Sequence, residues 1–172
     1  MNVRQITNDS DLTELVAGEV AEFSGVAYTA RDAAHKRFVE AAGTGRPLPI
    51  DIAGAAIYYA GPTPARKGEI IGSCGPTTSA RMDDYAPRLL DMGLKIMIGK
   101  GKRSPAVIDA IKRNKAVYLI AVGGAAALIK SRITECEEIA YPDLGCEAVR
   151  RIVFDRLPLL VAIDTAGNNI LK

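Results

Sequence analysis

Three short segments of the chain combine glycine, hydroxyl and cationic residues in a way that could bind an anion. Each follows an apolar run of strand length and precedes a segment with helical spacing. Ligands of α/β sheets bind beyond the carboxyl ends of strands, where N–H groups of the following helix face the ligand. The pattern therefore predicts an anion-binding site, without indicating a reaction. The segments are residues 29–35, 72–83 and 98–102, and their cations are Arg31, Arg81 and Lys100.

Each segment also has a plainer interpretation. In the second, Gly75-Pro76 breaks the strand and Thr77-Thr78-Ser79 offers hydroxyls, which a capped helix followed by a solvated arginine would explain equally. Gly99-Lys100-Gly101 is compatible with a flexible turn, or with a lysine whose glycine neighbours let a ligand approach the backbone. His35 lies one helical turn after Arg31 and can share its face, but a packed histidine that bonds a carbonyl is the commoner case.

Strand-length apolar runs alternate with segments of helical period along the chain, which predicts an α/β fold with a mixed sheet and flanking helices. No repeat or linker is visible, so residues 1–172 predict a single domain. Helices are predicted at Leu12–Val16, from the cap residue Asp32 to Gly43, over Met82–Met92, and from Ser104-Pro105. Strands are predicted near 20–23, 26–28, 50–60, 69–73, 94–98, 116–122, 134–139, 152–154 and 159–164, with turns at Ser24-Gly25 and Gly123-Gly124.

The bulk composition argues against several kinds of partner. Lys and Arg total 22 and Asp and Glu total 20, so the net charge of +2 gives no basis for binding nucleic acid or an acidic membrane. The longest apolar run, residues 116–129, is shorter than the roughly 18 residues of a membrane helix. Residues 1–6 show no secretory signal. We therefore expect a cytoplasmic protein.

The potential metal ligands of sulfur and imidazole type are few and scattered. They are Cys74, Cys136, Cys146 and the single histidine, His35. Because a structural zinc or an all-cysteine cluster normally needs four ligands, we expect no metal and no disulfide framework in this chain. The thiols are expected to be ordinary semi-buried side chains in a reducing compartment.

Six sequence blocks fall at or near these junctions and towards the carboxyl end. They are Ser24-Gly25, 31–37, 75–83, 99–101, 123–126 and 141–148. In type and order they resemble the β subunit, or carboxy-terminal domain, of class I fumarases and L-tartrate dehydratases. The string Gly-Pro-Thr-Thr to Arg-Met-Asp at 75–83 is the most specific block, and the resemblance covers essentially the whole chain. It implies a swivelling β/β/α domain.

The resemblance also implies a cofactor and a partner. In this family the other half of the enzyme, an α subunit or amino-terminal domain, holds a [4Fe–4S] cluster by three cysteines. Its open iron acts as a Lewis acid on the substrate's hydroxyl or on water. No cluster is then expected in this chain, which would work only beside the α subunit on a four-carbon dicarboxylate, in a dimer of heterodimers.

By position within the matched blocks, Arg31 and Arg81 correspond to arginines that bind substrate carboxylates, with Lys100 at the same site. Thr77 corresponds to a proposed base, with Thr78 beside it. Supporting positions are Asp32, His35, Gly75 and Asp83. Three residues depart from the common pattern. Ala30 and Cys74 replace smaller residues, and Cys146 stands where methionine is frequent, which favours a packed thiol.

Three functions follow from the resemblance. The first is reversible hydration of fumarate to malate, and the second is dehydration of L-tartrate by the same chemistry. The third is a non-catalytic dicarboxylate-binding module that has lost its partner. Copurification separates the enzyme from the binding module, because only the enzyme needs an iron-bearing partner.

Overall fold

The structure is a computed structural model that describes residues 3–121 and 125–172. The predicted turn at Gly123-Gly124, and with it part of the block 123–126, lies outside these residues. The strands are β1 (Arg4–Ile6), β2 (Val20–Thr29), β3 (Ala56–Tyr58), β4 (Ile96–Gly99), β5 (Val117–Ala121), β6 (Ile133–Ala140) and β7 (Val149–Ile163). The α-helices are α1 (Asp32–Gly43), α2 (Ala86–Asp91), α3 (Pro105–Asn114) and α4 (Ala125–Ser131), and 3₁₀ helices cover Leu12–Glu14, Ser79–Met82 and Pro142–Glu147.

All seven strands belong to one sheet, in the order β1-β2-β3-β4-β5-β7-β6. The first five pair in parallel, and β7 pairs antiparallel with β2, β5 and β6. Because β7 bonds to both β2 and β5, strands β2, β3, β4, β5 and β7 form a closed, barrel-like ring. The predicted α/β class with a mixed sheet and flanking helices is confirmed. The single domain and its swivelling motion stay predictions.

The predicted turn at Ser24-Gly25 is wrong, because β2 is one continuous strand with a bulge there. Gly25 has φ 149°, which glycine adopts without strain. A side chain on Gly25 would overlap the Asn8 amide, which donates to and accepts from the backbone of Val26. The bulge thus makes room for a side chain that ties the amino-terminal loop to the sheet.

Two other strand predictions also differ from the structure. Residues 69–73 are not a strand but part of the connection between β3 and the 3₁₀ helix at Ser79–Met82. There Thr63 N–H donates to the Ser73 carbonyl and Ser73 N–H to the Thr63 hydroxyl, so the segment bonds to its own loop. Residues 152–154 and 159–163 belong to a single strand, β7, which ends at Ile163, one residue before the predicted end.

The helix predictions are closer to the structure. Helix α3 begins at Pro105, and the Ser104 hydroxyl accepts a hydrogen bond from Val107 N–H, as expected of a cap. Helix α1 covers the predicted range, but its N-cap is Arg31 and not Asp32, and no side chain caps it. The arginine is therefore placed at the junction itself.

The core lies on both sides of the strands. Successive residues of a strand point to opposite faces, so Tyr58 packs inside the ring and Tyr59 faces the helices. Inside the ring, Phe154 packs edge-on against Phe23 and Tyr58 at centroid distances of 6.2 and 5.6 Å. Across the described ranges, none of the helices has the length and apolar character needed to span a membrane.

Candidate functional site

The parallel strands β2, β3 and β4 end at one edge of the sheet. Hydrogen bonding between these strands continues just beyond their ends. Ala30 N–H donates to the Tyr58 carbonyl at 3.1 Å, and Tyr59 N–H donates to the Ile98 carbonyl at 2.9 Å. Arg31 follows β2 and Lys100 follows β4. Since neighbouring strands lie about 4.8 Å apart, the backbones of these two cations are roughly 10 Å from each other.

The loop that carries the two threonines folds back onto this edge. Thr77 N–H donates to the Tyr59 carbonyl at 2.6 Å, and Ser79 N–H donates to the Lys100 carbonyl at 2.9 Å. Thr78 and Lys100 form an isolated parallel bridge. Thr77 therefore lies at the end of β3, the strand between those that precede Arg31 and Lys100. Residues 72–83 are not the strand-to-helix junction that the sequence predicts.

Two of the predicted glycines play different parts in this arrangement. Gly99 allows the loop to approach, because a side chain there would overlap the Ser79 hydroxyl and lie 2.7 Å from the Tyr59 ring. The Ser79 oxygen accepts a hydrogen bond from Lys100 N–H at 3.0 Å, which fixes the lysine backbone. At Gly75 a side chain would meet no described heavy atom within 4 Å, so packing does not explain this glycine.

A buried arginine lies beneath the threonine loop. The Arg103 side chain is 0% exposed, and its Nε donates to Asp83 Oδ1 at 2.8 Å. Its Nη2 donates to the Tyr59 hydroxyl at 3.2 Å, and its guanidinium lies 5.2 and 4.8 Å from the ring centres of Tyr59 and Tyr118. The Tyr118 hydroxyl, in turn, lies 2.8 Å from Ser79 Oγ. We call Tyr59, Ser79, Asp83, Arg103 and Tyr118 the Arg103 cluster.

The polar atoms of the Arg103 cluster stabilise one another. Burial opposes the charged form of Arg103, but Tyr59 and Asp83 outweigh it and hold its pKa above the ordinary value. Burial also raises the pKa of Tyr118 to about 12, so its hydroxyl stays protonated. The predicted supporting residue Asp83 uses its carboxylate here and on Ser104 N–H, 2.7 Å away. Its role is to hold the scaffold.

The other end of the edge contains buried polar atoms with much poorer pairing. Arg31 Nε lies 3.6 Å from Glu147 Oε1 and 3.9 Å from Asp32 Oδ1, both beyond hydrogen-bond distance. These three atoms and His35 Nε2 are buried and have no hydrogen-bond partner among the described residues. We call Arg31, Asp32, His35 and Glu147 the Arg31 cluster.

His35 is packed as the plainer interpretation expects. Its ring is fully buried, and Nδ1 donates to the Arg31 carbonyl at 2.8 Å. Burial lowers the pKa of His35 to about 4, so the ring is neutral at pH 7. Its ring centre lies 5.4 Å from that of Tyr59, so the Arg31 cluster packs against the Arg103 cluster at this contact. Its hydrogen bond fixes the start of α1 below Arg31.

The remaining predicted residues face solvent to different extents. Arg81, Thr78 and Lys100 are exposed, while Thr77 is half-buried. Within residues 3–121 and 125–172, the Thr77 hydroxyl, the Lys100 ammonium and the Arg81 guanidinium form no intramolecular hydrogen bond. Thr78 occupies the N-cap of the following 3₁₀ helix without a side-chain cap bond. The structure thus gives no support to a capping role for the threonines.

The thiols differ from one another. Cys74 is buried, which raises its pKa to about 12, and Cys136 is half-buried. Cys146 is exposed, so the expectation that it packs into the core is wrong. It lies in the 3₁₀ segment Pro142–Glu147, where no residue is buried. Over the part of the chain that the structure describes, no three His, Cys, Asp or Glu side chains are grouped so as to hold a metal.

Sequence reasoning missed Arg103, Tyr59, Tyr118, Gly61 and Glu147. Glu147 stands inside the matched block 141–148, which is the one signal that could have identified it. Arg103 directly follows Gly99-Lys100-Gly101-Lys102 and looks like another solvated cation of that turn. Only the fold shows that it is buried against two tyrosines.

Fold and site together define an α/β domain that places cations and a threonine at the carboxyl edge of its parallel strands. The chain belongs to the family of the fumarase C-terminus, which matches residues 1–172. The resemblance to class I fumarases and L-tartrate dehydratases that the sequence blocks indicate is confirmed.

Three relatives illustrate the range of this family. The chain is 39% identical over 151 residues to the aerobic class I fumarate hydratase of Escherichia coli K12, covering 87% of this chain and 28% of that protein. It is 37% identical over 161 residues to fumarate hydratase 2 of Leishmania major, covering 92% and 28%. It is 34% identical over 166 residues to the L(+)-tartrate dehydratase subunit beta of Escherichia coli K12, covering 94% and 81%. The chain thus spans less than a third of the two fumarate hydratases.

Proposed function

We propose that this chain is the β subunit of an iron–sulfur hydro-lyase that reversibly hydrates fumarate to malate beside a cluster-bearing α subunit. The observation that carries the proposal is the edge formed by β2, β3 and β4, where Arg31, Thr77 and Lys100 come together. The tartrate dehydratase β subunit, of which the chain covers 81%, supports the role of a separate subunit. The two-subunit complex is proposed to be a dimer of heterodimers.

Arg31 and Arg81 are the proposed carboxylate ligands. A guanidinium presents two parallel N–H donors that match the two oxygens of a carboxylate, so an arginine fixes orientation as well as charge. Both guanidiniums have donors that the described residues leave available. Lys100 adds a third cation to the proposed ligands, while the Asp32 and Glu147 carboxylates lie 3.9 and 3.6 Å from Arg31 Nε. Binding by these cations aligns the dicarboxylate before any bond changes.

Thr77 Oγ1 is the proposed acceptor of the proton from the substrate carbon. An unassisted hydroxyl is a poor base, so its deprotonated form needs stabilisation by neighbouring positive charge. The cations Arg31 and Lys100, which follow the strands on either side, could supply that charge. Thr78 would support the loop that carries Thr77, through its bridge to Lys100.

The metal chemistry is assigned to the α subunit. This assignment follows the family resemblance, in which the other half of the enzyme holds a [4Fe–4S] cluster that would supply the Lewis acid. The steps proposed for this chain are carboxylate binding, substrate orientation and proton transfer at Thr77.

Dehydration of L-tartrate is the second candidate. It is favoured by the similarity to the L(+)-tartrate dehydratase β subunit, which matches 94% of this chain. Tartrate carries one more hydroxyl than malate and needs one more hydrogen-bond partner, which discriminates strongly between such substrates when it is buried. A non-catalytic dicarboxylate-binding module is the third candidate.

Copurification under anaerobic conditions tests the proposal. A tagged chain recovered from its native cells should bring down an iron-containing partner, and the complex should hydrate fumarate faster than it dehydrates L-tartrate. The chain alone should contain no stoichiometric iron or sulfide and should be inactive. Consistent recovery as a free monomer would favour the binding module, and a cluster in the isolated chain would contradict the subunit assignment.

A further inference from the structure

Arg31 is held by shape and charge more than by hydrogen bonds. Its side chain is 24% exposed, and its Nε is buried without a hydrogen-bond partner among residues 3–121 and 125–172. A long side chain in such a place loses its orientation unless neighbouring atoms confine it. Two residues outside the predicted site, Gly61 and Glu147, lie against it.

Gly61 leaves the space that the Arg31 side chain fills. A Cβ on Gly61 would lie 2.9 Å from Arg31 Cδ, 3.3 Å from Arg31 Nη1 and 3.0 Å from the Cys146 carbonyl oxygen. Its φ is outside the left-handed region, so backbone conformation does not require glycine there. Because the carbonyl cannot move without the backbone, an added methyl group would displace the arginine.

Glu147 supplies charge without occupying the arginine's donors. Its Oε1 lies 3.6 Å from Arg31 Nε, and neither atom has a hydrogen-bond partner in the part of the chain that the structure describes. The 3₁₀ segment that carries it is fixed to the rest of the protein. Arg37 bonds to Asp143 at one end, and Arg150 donates to the Gly145 and Cys146 carbonyls near the other. The backbone that carries Glu147 is therefore fixed, and the carboxylate attracts the guanidinium while leaving its N–H groups open to a ligand.

We propose that Gly61 and Glu147 are positioning residues that hold the Arg31 guanidinium in the orientation that binds a substrate carboxylate. The inference rests on the proposed function, since it takes Arg31 to be a carboxylate ligand. An ion pair that served only stability would not affect substrate selection. The two roles therefore differ in what they do to ligand binding.

The test compares a dicarboxylate with a monocarboxylate inhibitor in the two-subunit complex. Inhibition constants for succinate and butyrate are measured in wild type, Glu147→Gln and Gly61→Ala. Succinate needs both arginines, whereas butyrate needs only one. If Arg31 is misplaced, the succinate constant rises about tenfold or more, the usual range for a lost charge-assisted contact, and the butyrate constant changes less than about threefold.

Matched controls separate positioning from damage to the fold. Glu135→Gln makes the same change at an exposed carboxylate of β6 that pairs with Arg151 and not with Arg31. Gly43→Ala adds a methyl group where no heavy atom of the described residues outside its own helix lies within 4 Å. Both should leave the two inhibition constants unchanged. Glu147→Gln keeps the size of the side chain, so the test remains valid if Gly61→Ala fails to assemble.

The outcomes distinguish failure of the positioning role from failure of the proposed function. An active complex in which Glu147→Gln leaves the succinate constant unchanged, or raises both constants equally, overturns the positioning role alone. A wild-type complex that acts on neither fumarate nor L-tartrate overturns the proposed function and this inference with it. Selective loss of succinate binding in both variants supports the proposal.

Discussion

The two ends of the site edge hold their arginines in opposite ways. In the Arg103 cluster the guanidinium is fully buried, paired with Asp83, bonded to Tyr59 and packed over two aromatic rings. In the Arg31 cluster the guanidinium is partly exposed and its nearest carboxylates stand at 3.6 and 3.9 Å. The Arg103 guanidinium forms its hydrogen bonds inside the protein, whereas the Arg31 guanidinium forms none with the described residues.

The difference distinguishes the residues that maintain the structure of the site from those that are available to a ligand. A buried charge is tolerated only when partners satisfy it, and the Arg103 cluster meets that condition. Buried polar atoms without partners cost stability and call for an explanation such as a functional role. The Arg103 cluster therefore fixes the loop of Thr77 and the backbone of Lys100, while the Arg31 guanidinium keeps donors from which the proposed substrate carboxylate would accept.

The largest effect is expected at Thr77, which lies between the clusters. Its substitution tests whether the Thr77 hydroxyl takes part in the reaction or only supports the structure. Thr77→Val keeps the shape but removes the hydroxyl, so kcat of the complex should fall about 10²–10⁴-fold, the range for a lost general base. Stability should change little, because the hydroxyl forms no bond with the described residues. Steady-state kinetics and melting temperatures measure both.

Thr77→Ser is the control, because it keeps the hydroxyl and should retain appreciable activity. A Thr77→Val complex that turns over normally would move the base to another residue. A variant that is less stable but active would return Thr77 to a structural role.

Substitution of Arg103 should cause a large loss of stability, although the Arg103 cluster has no direct role in binding. Arg103→Met leaves the Asp83 carboxylate without its ion-pair partner, and the free energy of unfolding should fall by about 3–5 kcal/mol. Adding Asp83→Asn removes the stranded charge, so the double variant should be more stable than additivity predicts by about 1 kcal/mol. Urea denaturation measures all forms. Strict additivity would show that the two side chains do not act together.

Arg81 extends the comparison to a third arginine, exposed and unpaired within the described residues. Arg81→Lys keeps the charge but loses the paired donors, so kcat/KM for the dicarboxylate should fall by the equivalent of about 2–4 kcal/mol. The melting temperature should stay the same. Wild-type kinetics in this variant would place Arg81 on the helix surface with no part in binding.

A smaller effect is expected from His35, the member of the Arg31 cluster that packs against the Tyr59 ring. Burial lowers its pKa to about 4, below its ordinary 6.5, so the unfolded chain takes up the proton first as pH falls. Stability should be complete above the unfolded pKa and decrease by about 1.4 kcal/mol from about pH 7.5 to about pH 5.5. His35 is the only histidine, so His35→Gln should remove this dependence in urea titrations. An unchanged slope would contradict the buried neutral ring.

Local signals in the sequence were enough to predict the junctions at Arg31 and Lys100. Strand ends, glycines and cap residues can each be recognised from a few neighbouring residues in the sequence. Parallel strands then bring such junctions to one edge of the sheet. The cap and proline at Ser104-Pro105 were predicted for the same reason. The position of Thr77 beside β3 could not be read this way, because a long loop returns it to the sheet through Thr77 N–H and the Tyr59 carbonyl.

The missed residues depend on contacts between distant parts of the chain. Arg103 is 20 residues from Asp83 and 44 from Tyr59, and its sequence neighbours Gly101 and Lys102 are exposed. Gly61 and Glu147 are more than eighty residues apart and touch Arg31 from different loops. Burial of a charge and a close approach to a glycine are properties of the tertiary structure, which periodicity and spacing do not encode.

The most direct test of the account applies the same substitution to both arginines. For Arg31→Lys and Arg103→Lys, the free energy of unfolding of the chain and kcat/KM of the complex are measured side by side. We expect Arg31→Lys to stay within about 0.5 kcal/mol of wild-type stability and to lose about 10²-fold in kcat/KM. Arg103→Lys should lose about 2–3 kcal/mol of stability through its hydrogen bonds and aromatic packing. An Arg31→Lys variant that is unstable but has normal kcat/KM would contradict the assignment of Arg31 to the substrate.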